Sequence, residues 1–145
     1  MATLYSDIND LFLQRVQDYT LDALYVASTP LFEMRLKGWL INAIPNFQGC
    51  AQDLEDRDDT TGTFNITLTT SEKVILSKLM LDEWWDTQVN DIRQIMLHIN
   101  VSEAKHYAEG QNLKEKKAAQ IANREDVERL ITKYQYKNLD LSELE

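Results

Sequence analysis

A Ser/Thr-x-x-Glu capping box at residues 69–72, followed by a strongly apolar run, constrains this chain more than any other feature. In such a box the Thr69 hydroxyl accepts a hydrogen bond from the Glu72 N–H, and the Glu72 carboxylate accepts one from the N–H of Thr69. We therefore expect a helix to begin here. Its apolar residues, which fall on more than one face, are Val74, Ile75, Leu76, Leu79, Met80, Leu81, Trp84 and Trp85.

A helix that is apolar on several faces is either central in the fold or covered by another subunit. A single chain of this size has difficulty burying two adjacent tryptophans. The sequence therefore predicts a subunit interface that includes Met80, Trp84 and Trp85.

Helix-breaking residues are scarce, with only four glycines and two prolines in the chain. Helical spacing of apolar residues predicts helices at residues 6–18, with Ser6 as N-cap, and at residues 87–99. Pro30 fits the first turn of another helix, which Pro45 ends. A long charged helix begins between residues 110 and 113, with a kink or break near Asn123. The predicted fold is mainly α, a small bundle of about five helices.

A short β-hairpin is expected around residues 47–68, before the capped helix. Phe64, Ile66 and Leu68 recur at period two, which predicts a half-buried strand at residues 63–67. The segment at residues 47–54 is the expected partner, and the turn between the two strands contains Gly62.

The chain of 145 residues is the usual size of one domain. We assign residues 1–136 to a single helical domain and residues 137–145 to an extended C-terminal tail. In the tail, leucines alternate with acids and a serine, a pattern typical of a strand or a docking tail. A frayed terminus is the alternative.

Charge and cysteine content exclude several functions. There are 24 acids against 15 bases, a formal charge of −9, which repels nucleic acid and anionic lipid. The single Cys50 permits no internal disulfide and no four-cysteine zinc site, and a reducing compartment is expected. No apolar run approaches the roughly 20 residues of a membrane span, and no leader is visible.

The acid-rich turn at residues 53–59 does not match a calcium loop. Counting from Asp56, position six is Thr61 instead of glycine, and position twelve is Thr67 instead of glutamate. We expect a solvated turn in which Asp side chains cap local N–H groups and Arg57 offsets part of the charge. His98 and His106 do not form a metal pair. The sequence predicts no catalytic site, no metal site and no cofactor.

The order of several blocks resembles a known family. The blocks are Phe47-x-x-Cys50-x-x-Asp53-Leu54-x-Asp56-Arg57-Asp58, Phe64-Asn65-x-x-Leu68-Thr69, Glu72-x-x-Ile75-Leu76-x-x-x-Met80-x-x-x-Trp84, Ile92-Arg93-Gln94 and Tyr134-x-Tyr136. Together they cover about two thirds of the chain. They resemble the head–tail connector (adaptor or neck) proteins of tailed bacteriophages that infect Gram-positive hosts.

This resemblance implies a structural virion protein, made in the host cytoplasm and located in the phage neck. Its subunits would form a ring, commonly twelvefold, that extends the DNA channel below the portal without sequence-specific DNA binding. The implied partners are the portal and a tail-side neck or tail-completion protein. The end of the chain would dock into the portal, which here assigns docking to Tyr134, Tyr136, Leu139, Leu141 and Leu144.

A second class also fits the composition. A small acidic helical interaction protein, for example a DNA mimic that inhibits a nucleic-acid-handling enzyme, would carry a similar net charge. Mimicry needs acids spaced regularly over one face, whereas here they cluster in a turn and at helix caps. The connector is therefore the preferred interpretation.

Overall fold

The computed structural model describes residues 2–16, 18–98 and 103–137. Within them the fold is mainly α, as predicted, with five helices, one 3₁₀ turn and a small three-stranded antiparallel sheet. The helices are α1 (Tyr5–Leu13), α2 (Tyr19–Ala27), α3 (Thr29–Ala43), α4 (Thr70–His98) and α5 (Glu103–Lys137). The strands are β1 (Thr3–Leu4), β2 (Arg57–Asp58) and β3 (Thr63–Phe64).

The N-terminal region differs from the single helix predicted at residues 6–18. α1 begins one residue earlier, after Leu4 and without a side-chain cap from Ser6, because the preceding residues are held as strand β1. It ends at Leu13, where the Arg15 guanidinium donates to the Leu11 carbonyl at 2.8 Å. The helix α2 that follows was not predicted.

Helix α3 begins as predicted. The Ser28 hydroxyl accepts from the Leu31 N–H at 3.4 Å, and Pro30 occupies the first turn, where its missing N–H is not needed. The α-helix ends at Ala43, and Pro45 lies in the 3₁₀ turn Ile44–Asn46 that follows.

Helix α4 confirms the capping box but corrects the predicted boundary after Trp85. Glu72 N–H donates to Thr69 Oγ1 at 3.3 Å, and Thr69 N–H donates to Glu72 Oε1 at 2.7 Å. The helix then continues without a break to His98, so the capped helix predicted to end at Trp85 and the helix predicted at residues 87–99 are one. Thr87 does not cap a new helix, because its hydroxyl donates to the Glu83 carbonyl within α4.

Helix α5 begins well before the predicted residues 110–113 and includes Gly110. It runs antiparallel to α4 over much of its length, since Lys78 pairs with Asp126 at one end and Gln88 contacts Lys116 further along. A glycine inside a helix costs only about 1 kcal/mol, which this packing offsets. The helix also continues through Asn123, whose side-chain amide donates to the Lys78 carbonyl on α4 instead of capping a new helix.

The sheet has the order β1-β3-β2, with β3 antiparallel to both neighbours. The predicted hairpin therefore exists, and its turn contains Gly62 at φ +71°. Its other strand is Arg57–Asp58, however, and not the segment at residues 47–54. That segment packs against α4 and α5 instead. β1 was not predicted, because two residues are too short to show a period of two.

The acid-rich turn behaves as predicted. Asp58 Oδ1 accepts from the N–H groups of Thr60 and Thr61 at 2.9 and 3.3 Å. Arg57 lies within 3.0 Å of both the Asp59 and the Glu55 carboxylates. The polar groups in these contacts have their partners within the turn. The turn is therefore a structural element.

The core lies between α1, α3, α4 and the sheet, and α5 closes it along α4. Its largest fully buried apolar side chains are Phe12, Phe64, Ile8, Leu36, Leu40, Leu76 and Met80. Phe64 on β3 packs into this core, and its ring centroid lies 5.0 Å from that of Tyr5. The sheet and the helices therefore share one core.

Two glycines give a matched test of the backbone. Gly49 has φ +74°, and a Cβ there would lie 2.2 Å from Gln135 Nε2, whereas a Cβ on Gly38 in α3 meets nothing within 4 Å. We expect Gly49→Ala to lower the free energy of unfolding by about 1–2 kcal/mol and Gly38→Ala to raise it by about 0.5–1 kcal/mol. Urea denaturation followed by circular dichroism measures both. Equal stability of the two variants would contradict the assigned backbone at Gly49.

Candidate functional site

A buried carboxylate organises the region where α4 begins and α5 ends. Glu72 is only 1 % exposed. Its Oε1 accepts from Thr69 N–H at 2.7 Å and from the Gln52 amide at 2.6 Å. Its Oε2 accepts from the Tyr134 hydroxyl at 2.6 Å and from the Cys50 thiol at 3.6 Å. We call these five residues the Glu72 cluster.

Hydrogen bonding keeps Glu72 ionised in spite of its burial. Burial acts to raise the pKa of Glu72, but the bonds from Thr69, Tyr134 and Gln52 outweigh it and hold the pKa below the ordinary value. Burial, reinforced by the bond to Glu72, raises the pKa of Tyr134. Burial also raises the pKa of the Cys50 thiol. At neutral pH the cluster therefore consists of one carboxylate surrounded by neutral donors.

The Glu72 cluster has the chemistry of a structural contact that holds parts of the chain together. A carboxylate offers about four acceptor positions, and four donors already occupy those of Glu72. The Cys50 thiol is held protonated, whereas a nucleophilic cysteine needs a depressed pKa. The Glu72 cluster therefore ties the segment at residues 47–54 to both long helices.

Further contacts fix the end of α5 on the same segment. The Phe47 and Tyr134 rings meet edge to face, with centroids 5.2 Å apart. The Tyr134 hydroxyl accepts from Ala51 N–H at 2.9 Å, and the Gln135 amide donates to the Gln48 carbonyl at 2.9 Å. The direction in which the chain leaves α5 at Lys137 is therefore set by the folded body.

An apolar pocket of about 300 Å³ opens beside this exit point, between the start of α4 and the end of α5. Its apolar surface includes Val74, Ile75 and Leu130, and Lys133 and Lys137 also line it. We call it the α4–α5 pocket. It is a basic, apolar recess in a chain of net charge −9.

A second, larger recess of about 700 Å³ lies further along the same two helices and is rich in acids. Arg124 pairs there with Asp82 at 2.8 Å and with Asp86 at 3.4 Å. Glu83 lines the same recess, and burial, then the charges of Asp86 and Asp82, raise its pKa. Arg124 therefore offsets part of the negative charge of this recess, which still carries more acids than bases.

Replacing Glu83 with glutamine should stabilise the fold at neutral pH. The folded pKa of Glu83 lies above the ordinary value of 4.5, so its ionised form is disfavoured in the folded chain. That penalty is present at pH above the folded pKa and disappears below 4.5, where the carboxyl is neutral in both states. Thermal unfolding at pH 7 and pH 4 should show a higher Tm for the variant only at pH 7. A gain of equal size at both values would contradict this electrostatic origin.

The predicted docking residues separate in the structure. Tyr134 is buried and bonded within its own chain, so it offers no free surface to a partner. Tyr136 is 73 % exposed on the last turn of α5 and is available for docking. Leu139, Leu141 and Leu144 lie outside the described residues, and their docking role stays a prediction.

The tryptophans also differ from expectation. The chain buries only the first of the two: Trp84 is 8 % exposed and donates from Nε1 to Asp18 at 2.9 Å. Met80 is fully buried. α1, α3 and α5 of the same chain cover these faces of α4, so neither residue has surface to offer a second subunit. Trp85 is half-buried, and its interface role stays a prediction.

Sequence reasoning identified Glu72 only as a capping residue and missed the rest of its cluster. Gln52 and Tyr134 are 20 and 62 residues away, and only the tertiary fold brings them together. One signal was present. Glu72 occupies the first position of the buried stripe that continues with Ile75 and Leu76, and a carboxylate there needs buried donors.

No helix in the described ranges has the length and apolar character needed to span a bilayer. Nor is any group of three or more His, Cys, Asp or Glu residues in those ranges arranged to hold a metal ion. Comparison with known protein families, with curated proteins and with solved structures gave no match. The resemblance to head–tail connectors therefore rests on the sequence blocks alone.

Residues from separate blocks of that resemblance meet in space. Cys50 from the first block and Tyr134 from the last both contact Glu72 at the start of α4. Asp56 accepts from the Asn65 side-chain amide at 2.9 Å, which joins the first block to the second. Hydrogen bonds thus join four of the five blocks.

Proposed function

We propose that this protein is a head–tail connector subunit of a tailed bacteriophage, which forms a ring below the portal and joins head to tail. The observation that carries the proposal is that Cys50 and Tyr134 both hydrogen-bond to the buried Glu72 carboxylate, and that the three residues come from separate blocks of the resemblance. Sequence blocks that belong to one common fold are expected to contact one another in the folded chain. In a connector, the Glu72 cluster would hold a partner-binding segment in a fixed position.

The long helices suit a rigid structural subunit. α4 has 29 residues and α5 has 35, which at 1.5 Å per residue correspond to about 45 and 50 Å. Lys78 pairs with Asp126, and Arg124 with Asp82, so polar contacts fix their register. A subunit in a ring needs such a body, because its two sides must hold their neighbours at a constant angle.

Exposed apolar side chains on α2 and α3 are candidates for contact with those neighbours. Val26 is 86 % exposed, and Tyr25, Leu31 and Met34 are each more than half exposed. We assign the contact between subunits to these side chains and not to Met80 or Trp84, which are buried.

The DNA-mimic alternative receives less support. A mimic must present free carboxylates at regular spacing, but Asp82 and Asp86 pair with Arg124, and Asp126 pairs with Lys78. The acids of the turn at residues 55–59 are likewise partly paired with Arg57. These pairs reduce the negative field that a basic DNA-binding enzyme would recognise.

Native mass spectrometry of the protein, alone and mixed with the portal protein of the same phage, tests the proposal. We expect a defined ring or a stoichiometric complex with the portal. A chain that stays monomeric and never joins the portal would exclude the connector function. Salt-sensitive binding to a DNA-handling enzyme would favour the alternative instead.

Deletion of residues 137–145 should weaken attachment to the portal by at least about tenfold, since three leucines are lost and each buried leucine contributes about 1.5–3 kcal/mol. Helicity should be unchanged, because the described helices end at Lys137. As a matched control, Asp140→Asn with Glu143→Gln keeps the leucines and should have a smaller effect. Binding measured by biolayer interferometry that does not change on deletion would refute the docking role of this segment.

A further inference from the structure

We propose that the α4–α5 pocket is the intramolecular docking site of residues 138–145 of the same chain. The inference concerns the free subunit and does not depend on the connector function. The described chain ends at Lys137, which itself lines the pocket. The described chain therefore ends at an apolar recess, and eight residues follow in the sequence.

The apolar surface of the pocket matches the segment. The aliphatic side chains Val74, Ile75 and Leu130 line it together with the ring of Tyr134, and the recess holds about 300 Å³. In an extended segment, residues two apart lie on the same face, so Leu139 and Leu141 point together. Burying them against the pocket removes apolar surface of both partners from water.

Charge also matches. The segment carries Asp140, Glu143 and Glu145 and no base. Lys133 and Lys137 line the pocket, and Thr70 and Ser71 add the N-terminal turn of α4 to its wall. Lysines and the positive end of a helix dipole both favour an acidic segment. The acidic recess further along α4, by contrast, would repel an acidic segment.

The short connection from Lys137 to the leucines favours the segment of the same molecule as the occupant of the pocket. Leu139 is two residues from Lys137, a reach of about 7 Å, and Leu141 is within about 14 Å. A tether this short gives the segment a high effective concentration at the pocket, which the segment of a second copy lacks. The same segment from another molecule and an unrelated peptide are the competing occupants.

Methyl NMR of the full chain tests this assignment. Nuclear Overhauser contacts are expected between the methyl groups of Leu139 or Leu141 and those of Val74 or Leu130. The contacts should persist unchanged over a hundredfold dilution. Their absence in the unaltered chain would overturn the proposal, and their loss on dilution would assign the pocket to a second copy.

Variants provide an independent measurement. Leu139→Ser with Leu141→Ser should shift the methyl resonances of Val74, Ile75 and Leu130. Leu144→Ser, on the opposite face of an extended segment, is the matched control and should leave those resonances nearly unchanged. The methyl groups of Leu36 and Leu40, buried in α3, report that the fold is intact. Equal shifts in both variants, or none in either, would contradict the docking geometry.

Discussion

Replacing Glu72 with alanine should lower the free energy of unfolding by about 3–5 kcal/mol. The substitution leaves the Tyr134 hydroxyl, the Gln52 amide and the Thr69 N–H without their acceptor. Each buried donor left unsatisfied costs about 1–3 kcal/mol, and the three costs are not independent. Since typical domains are stable by only about 5–15 kcal/mol, this is a large share of the total.

Two further variants separate the contributions to the Glu72 cluster. Glu72→Gln keeps the shape and part of the accepting capacity, so its loss should be clearly smaller than that of Glu72→Ala. Tyr134→Phe removes one donor to Glu72 and the acceptor of Ala51 N–H. Urea denaturation by circular dichroism gives all the values, and a double-mutant cycle gives the coupling of Glu72 to Tyr134. Additive effects of the two substitutions would contradict a direct bond.

The effect of Glu72 should depend on pH in a defined direction. The pKa of Glu72 in the folded chain lies below its ordinary value of 4.5. Its ionisation therefore adds stability that is complete above 4.5 and is lost as the pH falls through the folded pKa. The stability difference between the unaltered chain and Glu72→Gln should be constant near neutrality and shrink in acid. A difference that grows in acid would contradict the assigned direction.

Replacing Trp84 with alanine should cost about 3–5 kcal/mol, the range for large buried side chains. Trp84 is buried in its own chain and also bonded to Asp18, while the half-buried Trp85 is its matched control. Trp85→Ala should cost clearly less. If Trp84 instead served mainly a subunit interface, its replacement would change assembly and leave the stability of the monomer nearly intact.

Thermal and urea unfolding by far-ultraviolet circular dichroism measure both tryptophan variants without relying on tryptophan emission. Dilute protein should be used, so that any association contributes little to the measured stability. A stability loss for Trp84→Ala no larger than that for Trp85→Ala would contradict the burial of Trp84 in its own chain.

Local signals in the sequence predicted the parts of the fold that depend on nearby residues. The box at Thr69 and Glu72, and Pro30 in the first turn of α3, act within one helical turn, and both starts are confirmed. Tertiary contacts decided the rest. α4 continues past Trp85, and α5 includes Gly110, because each helix packs along the other. The partner of β3 could not be assigned, since residues 47–54 are held by the Glu72 cluster instead.

The candidate site was less predictable than the fold. The resemblance assigned Tyr134 to portal docking, yet its hydroxyl donates to Glu72, 62 residues away in the sequence. Met80 and Trp84 were expected at an interface because α4 is apolar on several faces. The prediction counted that apolar surface correctly, but sequence alone did not show that α1, α3 and α5 of the same chain all pack against α4.

Electron microscopy of the portal protein of the same phage, with and without this chain, tests the connector proposal most directly. We expect an additional ring of density on the tail side of the portal, coaxial with its channel and composed of this subunit. Deletion of residues 137–145 should reduce the fraction of portals that carry this ring. Portal particles that look identical with and without an excess of the folded chain would contradict the proposal.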